Sequence, residues 1–303
     1  MKTAALSLLV PLVFLSGCAG ATKTKSADSA AASPGSKGKV LVVLSSADSL
    51  TLQGGKTHPT GTYLNELVVP LKALVDAGYE PVFANPKGNA PAIDPASDSP
   101  KHFGGDEARY HALKALLDAY PGFRKPKTFS EVLHEGLSDY AGLFAPGGHA
   151  PFEDLLRDRD LGNIFRNFHA TGKPTALLCH APVTLAAATS DPVAFAAALS
   201  TTKKSKRATR ALAKTWPYKG YRMTVFSQAE EKVAEGSGLG GHVLFYPEAA
   251  LRAAGGKVDN GPQFQSHVVV DNELITGQNP ASDQALAKAL VDALAAKTAE
   301  RAR

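Results

Sequence analysis

Thiols are scarce in this sequence: there are two cysteines in 303 residues, Cys18 and Cys179, in unlike surroundings. Two cysteines exclude a scaffold held by several disulfides. Charge of one sign is scarce too, once position is considered. The formal net charge is +5, but Lys2 and residues 19–39, where Lys23, Lys25, Lys37 and Lys39 face Asp28 alone, hold all but +1 of it. The pI of 9.0 therefore reflects a basic tether and one local cluster, which excludes a broad nucleic-acid-binding face. No apolar run reaches the ~18 uninterrupted residues that a lasting transmembrane helix needs. His58, His102, His111 and His149 stand at no defensible metal-ligand spacing, so no metal is expected. What is present, 44% hydrophobic and 20% charged residues, suits a globular chain with a sizeable core.

Residues 1–18 read as an export signal. Lys2 supplies the positive start and Ala4 to Leu15 a short apolar core. Leu15-Ser16-Gly17-Cys18 then matches a bacterial lipobox, in which the thiol accepts a diacylglycerol before cleavage. Acylation at Cys18 would anchor the chain firmly, at about 0.8 kcal/mol per buried methylene. Ala19 follows where an aspartate would resemble an inner-membrane retention signal, so the outer membrane, facing the periplasm, is the expected location. Residues 19–38, rich in Ala, Ser, Thr, Lys and Gly, bury too little to offset ordering and read as a flexible tether. Residues 39–303 are then one domain, with Cys179 as its only thiol.

Val40 to Leu44 is a continuous β-branched and leucine run, the pattern of a strand buried on both faces. Leu64, Leu67, Val68, Leu71, Leu74 and Val75 recur at helical spacing and stop at Gly78. Strands are expected at Pro81–Ala84, Tyr140–Ala145, Thr175–Leu178, Arg222–Phe226 and His267–Val270, and a closing helix over Gln284–Ala296. This alternation predicts an α/β fold with a mainly parallel sheet sandwiched by helices, and sites beyond the carboxyl ends of its strands. Asn85–Asp139, polar and Pro-rich, is expected to form a small cap beside the site. Lys203, Lys204, Lys206, Arg207, Arg210 and Lys214 form a basic run, read as a solvated hairpin or loop or, more pointedly, as a contact with anionic lipid headgroups.

Thr175 to Ala188 reads as strand, sharp turn and helix, with Cys179 where a nucleophile elbow places its side chain. A thiol at a helix N-terminus faces the macrodipole's positive end, which favours the thiolate. Ala145-Pro146-Gly147-Gly148-His149 follows a buried strand directly, and adjacent glycines let N–H groups approach a developing oxyanion.

These pieces together resemble the PfpI-like superfamily, related to class I glutamine amidotransferases and the parkinsonism-associated deglycase, and most of all its heat-shock chaperone and glyoxalase III branch. The resemblance is carried by Thr60-Gly61-Thr62-Tyr63-Leu64-Asn65-Glu66 with Pro70, by Pro146 to Pro151, and by Cys179-His180-Ala181-Pro182. Phe226 to Glu231 and Leu274 to Ser282 complete it. It implies a flavodoxin-like fold, with Cys179 as nucleophile, His180 as its acid–base and Glu231 orienting the histidine, or Glu230 if the register slips by one. It further implies a protonated Glu66 beside the sulfur and an oxyanion hole from the N–H groups of Gly148 and His180. Ala181 and Ala150 depart from the family's usual glycines, each adding a methyl near the pocket. No distal His-x-Glu stands near the C-terminus, which argues against glutaminase chemistry. The implied activity is conversion of methylglyoxal or another 2-oxoaldehyde to a 2-hydroxy acid without glutathione or other cofactor, or removal of early glycation adducts from proteins. A holdase chaperone and a cysteine peptidase are the alternatives, and a homodimer is implied without an identifiable interface.

Overall fold

A computed structural model describes residues 36–200 and 205–301. The export signal with Cys18, most of the tether, and Lys203 and Lys204 lie outside the described residues. The last residues of the expected tether already belong to the domain, since Lys37 donates its backbone N–H to the Gly78 carbonyl at 2.8 Å.

Seven strands form the main sheet in the order β10-β11-β7-β6-β1-β4-β5. They are β1 (Lys39–Val43), β4 (Glu80–Asn85), β5 (Lys127–Thr128), β6 (Tyr140–Ala145), β7 (Thr175–Leu178), β10 (Val268–Asp271) and β11 (Leu274–Gly277). All neighbours are parallel except β10 and β11. Two small ribbons flank the sheet, β2 (Ser49–Thr51) with β3 (Thr57–Pro59) and β8 (Arg222–Met223) with β9 (Lys257–Val258).

The period of two along β1 sorts its side chains onto two cores. Val40, Val42 and Leu44 pack with Leu64, Leu67 and Leu71 of helix α1 (Leu64–Asp76) and with Leu286, Leu290 and Leu294 of the closing helix Asp283–Arg301. Leu41 and Val43 face Ile164, Phe165 and Phe168 of the helix Arg159–Ala170, together with Val183 and Leu185. Each such side chain, fully buried, contributes about 1.5–3 kcal/mol, so the central strands are the rigid floor on which the site stands.

Three expectations need correction. Arg222–Phe226 is a strand only over Arg222–Met223 and joins β9 rather than the main sheet. Beyond it the backbone is spent elsewhere: Thr224 N–H donates to the Thr276 hydroxyl and Phe226 N–H to the Cys179 carbonyl. Leu274–Gly277, legible only as a motif, is the strand β11 between β10 and β7. The basic run, where described, is a helix over Ser205–Leu212, with Lys206, Arg207 and Arg210 exposed and Thr209 buried. The Asn85–Asp139 stretch does cover the sheet's carboxyl edge. It carries helix α2 (Glu107–Leu116) and contributes Asp94, His102 and Arg109 to the wall of a cavity of about 790 Å³. Among the described residues no helix is long and apolar enough to cross a membrane.

Candidate active site

Cys179 follows directly on β7, and its backbone is forced into the left-handed region at φ 62°, uncommon for a residue with a side chain. The strain is held by hydrogen bonds on both sides of the turn: Cys179 N–H donates to the Gly277 carbonyl at 2.8 Å, and Phe226 N–H donates to the Cys179 carbonyl at 2.8 Å. The chain then winds as a 3-10 helix over Ala181–Ala188, with His180 as its N-cap residue. The elbow expected from the sequence is present, with a tighter helix behind it.

The sulfur lies 3.2 Å from Nδ1 of His180. On the ring's far side, Nε2 lies 2.8 Å from Oε2 of Glu231. Burial alone would raise Glu231, but two imidazoles oppose it and hold its carboxyl well below the usual range. An ionised carboxylate only accepts, so Nε2 carries the proton and Nδ1 presents its lone pair to the sulfur. Burial and His149 keep His180 below its ordinary value, which leaves the ring neutral and able to take a proton. Glu231, not Glu230, makes this contact.

Glu66 enters from the first turn of α1, fixed by cap contacts. Leu64 N–H donates to the Ser97 hydroxyl at 2.9 Å, and Asn65 Nδ2 donates to Asp283 at 2.9 Å. Glu66 Oε2 accepts from Gly147 N–H at 2.9 Å, while its Oε1 is buried without a hydrogen-bond partner. Burial pushes this carboxyl up to about 8, against the lowering pull of its hydrogen bonds to Cys179 and Gly147. It therefore holds a proton at neutral pH. The glycines earn their place sterically: a Cβ on Gly147 would lie 2.6 Å from Cys179 Cβ and 2.7 Å from Glu66 Oε2. Gly148, at φ 95°, would put a Cβ 2.1 Å from the Gly61 carbonyl oxygen, and its own N–H exerts a lowering pull on the thiol.

The thiol departs from expectation. A lowered value was expected from the helix terminus, but Cys179 is 3% exposed. Burial pushes it well above its ordinary value, against the Gly148 N–H. The resting sulfur is protonated.

Four residues acquire places that the sequence did not reveal. His149 Nε2 lies 2.7 Å from the other oxygen of Glu231, with its ring 4.1 Å from that of His180. The trio His149, His180 and Glu231 offers three ligand atoms within 4.8 Å of one another and could hold a metal ion. Phe226 stacks on His180 at 4.4 Å, and Phe264 meets Phe226 edge-on at 6.4 Å. Glu230 gathers four donors: the N–H groups of Ser227 and Phe264 and the side-chain amides of Gln278 and Asn279. His149, Phe226 and Glu230 stand inside motifs, whereas nothing in the sequence pointed to Phe264. Of the remaining histidines, His102 Nε2 lies 2.9 Å from the Ala96 carbonyl oxygen and His111 stands on the surface near Glu107.

A mainly parallel sheet with a strained cysteine elbow, a His–Glu pair and a buried acid at its carboxyl edge defines a class of α/β proteins built around one buried cysteine. Residues 57–193 match the model of the DJ-1/PfpI family. It is 27% identical over 267 residues to the protein/nucleic acid deglycase HchA of Pseudomonas aeruginosa, covering 86% of this chain and 80% of that protein. It is 26% identical over 264 residues to the HchA deglycase of Staphylococcus aureus, covering 84% and 80%. Among solved structures, the Rapid Encystment Protein of Francisella tularensis superposes with a TM-score of 0.60 at 22% identity, covering 85% of this chain and 99% of that one. Glyoxalase III of Candida albicans does so with a TM-score of 0.57 at 20% identity, covering 84% and 96%.

Proposed function

We propose that this chain converts 2-oxoaldehydes of the methylglyoxal type to 2-hydroxy acids with Cys179 as nucleophile, without glutathione. Removal of early glycation adducts would use the same thiol. The observation that carries the reading is the continuous relay from Cys179 Sγ through His180 to Glu231, with protonated Glu66 on the sulfur's other side. The kinship with proteins named deglycase supports it.

In this mechanism the sulfur adds to the aldehyde carbon as His180 Nδ1 takes the thiol proton. The oxygen becomes a hydroxyl by accepting a proton from Glu66, giving a hemithioacetal. Glu66, now ionised, then removes the hydrogen on that carbon while His180 protonates the neighbouring carbonyl oxygen, giving an enediol. Return of the Glu66 proton to the neighbouring carbon, and of the proton on the first carbon's hydroxyl to His180, leaves a thioester. Water cleaves the thioester to release the hydroxy acid and restore the thiol. Positioned proton transfers of this kind contribute about 10²–10⁴-fold each. Ionised Glu231 keeps His180 in the tautomer that accepts from sulfur.

Full chain carrying Cys179→Ala, supplied with methylglyoxal and no glutathione, is expected to form no lactate above background. Turnover at the wild-type rate would overturn the proposal. If the same variant still suppresses aggregation of a client protein, the holdase activity is separate from the thiol. We further propose that the chain is lipid-anchored through Cys18 in the cell envelope. Cys18→Ser should then move from the membrane to the soluble fraction, and unchanged fractionation would refute anchoring.

A further inference from the structure

We propose that His149, His180 and Glu231 form a divalent-cation site, suited to zinc, that silences the enzyme reversibly when filled. Two imidazoles and one carboxylate are the donors such a borderline cation takes, and three protein ligands with one open position is a common zinc arrangement. The three residues reach the point from separate segments: the loop after β6, the elbow, and the helix Gln228–Ser237. Their ligand atoms lie within 4.8 Å of one another. Glu231 presents one oxygen to each ring, at 2.7 Å and 2.8 Å, so both Nε2 atoms already converge on it. Tetrahedral ligands at ~2.0–2.1 Å from zinc stand about 3.3 Å apart, so the two His–Glu edges need open only about half an ångström. The side chain of His149 is 13% exposed and lines the cavity with His180, which supplies the route in.

The geometry also fixes what the cation would do. Cys179 lies on the Nδ1 edge of His180, opposite the nitrogen that would bind the metal, so the sulfur is not a ligand. Binding at Nε2 displaces its proton and leaves Nδ1 as the ring's only N–H. That nitrogen then donates to the sulfur and can no longer accept the thiol proton. Binding itself stands on the three ligands alone; the silencing rests on the function proposed above.

The test is titration of the full chain, carrying Cys18→Ser so that Cys179 is the only thiol, with cobalt(II) as the spectroscopic stand-in for zinc. One equivalent should give the intense visible bands of four-coordinate cobalt, with no sulfur-to-metal charge-transfer band. Cys179→Ala should keep this spectrum, whereas His149→Ala should bind more than about tenfold more weakly, the low end of what losing even an outer partner costs. No uptake, a charge-transfer band, loss of the spectrum in Cys179→Ala, or undiminished affinity in His149→Ala would each overturn the site. Zinc should lower methylglyoxal turnover in step with occupancy, and a chelator should restore it. Occupancy without inhibition would remove the silencing while leaving the site.

Discussion

Replacing Glu66 by glutamine tests the site through stability as well as rate. Glu66 is fully buried, and burial raises its carboxyl from 4.5 to about 8. A raised acid keeps its proton in the folded state after the unfolded chain has lost it. Stability from this group is therefore complete below about 4.5 and is lost as pH rises through about 8, at roughly 1.36 kcal/mol per pH unit. Between pH 5 and 7 the wild type should lose about 3 kcal/mol from this source, or roughly 6–10 °C in midpoint. Glutamine can still accept from Gly147 N–H and point its amide at the sulfur, and it does not titrate. Glu66→Gln should match the wild type near pH 5 and exceed it by that margin at pH 7, as read by denaturant melts at each pH. Turnover should nevertheless fall by about 10²–10⁴-fold, because the amide cannot pass a proton. Parallel stability profiles for the two proteins would refute a buried neutral carboxyl at this position.

Gly148→Ala forces a side chain into a left-handed backbone and against the Gly61 carbonyl, so it should cost about 1–3 kcal/mol of stability. It should also cost about 10²–10³-fold in kcat as the N–H beside the sulfur is displaced, and a variant with wild-type kcat would dismiss that amide from the mechanism. Phe264 is half exposed at the cavity wall, held at φ 56° with its ring against Phe226. Asparagine tolerates that backbone, so Phe264→Asn should leave methylglyoxal kinetics unchanged while raising KM for phenylglyoxal about tenfold, the loss of one aromatic pair. Equal effects on the two substrates would show that Phe264 does not select.

The central strands were readable because burial on both faces leaves nothing but apolar residues: Val40 to Val43 and Tyr140 to Ala145 announce themselves. β11 did not, since only Leu274 and Ile275 are apolar and Thr276 spends its hydroxyl on Thr224 N–H. Arg222 to Phe226 looks like a strand by composition, yet its later N–H groups serve a side chain and the elbow rather than a ladder. At the site, Cys179, His180, Glu231 and Glu66 were legible through motif order, and the structure brings them together. His149 was named as a histidine without a role, because its partner Glu231 lies 82 residues away and no linear spacing encodes that meeting. The thiol's state was misjudged for a related reason: a turn can be read from residues, but its enclosure depends on what distant segments place above it.

The four-way bonding of Glu230 bears on how the protein comes into being. Three of its donors belong to Phe264, Gln278 and Asn279, 34, 48 and 49 residues further along the chain. Until that last stretch has been made and has settled, the carboxyl has water for company and the Phe264 wall of the pocket has no peg to hang on. Contacts of such long reach form late in folding. The same stretch carries the Gly277 carbonyl that holds the cysteine elbow, so elbow and binding chamber are completed together, with the last part of the chain.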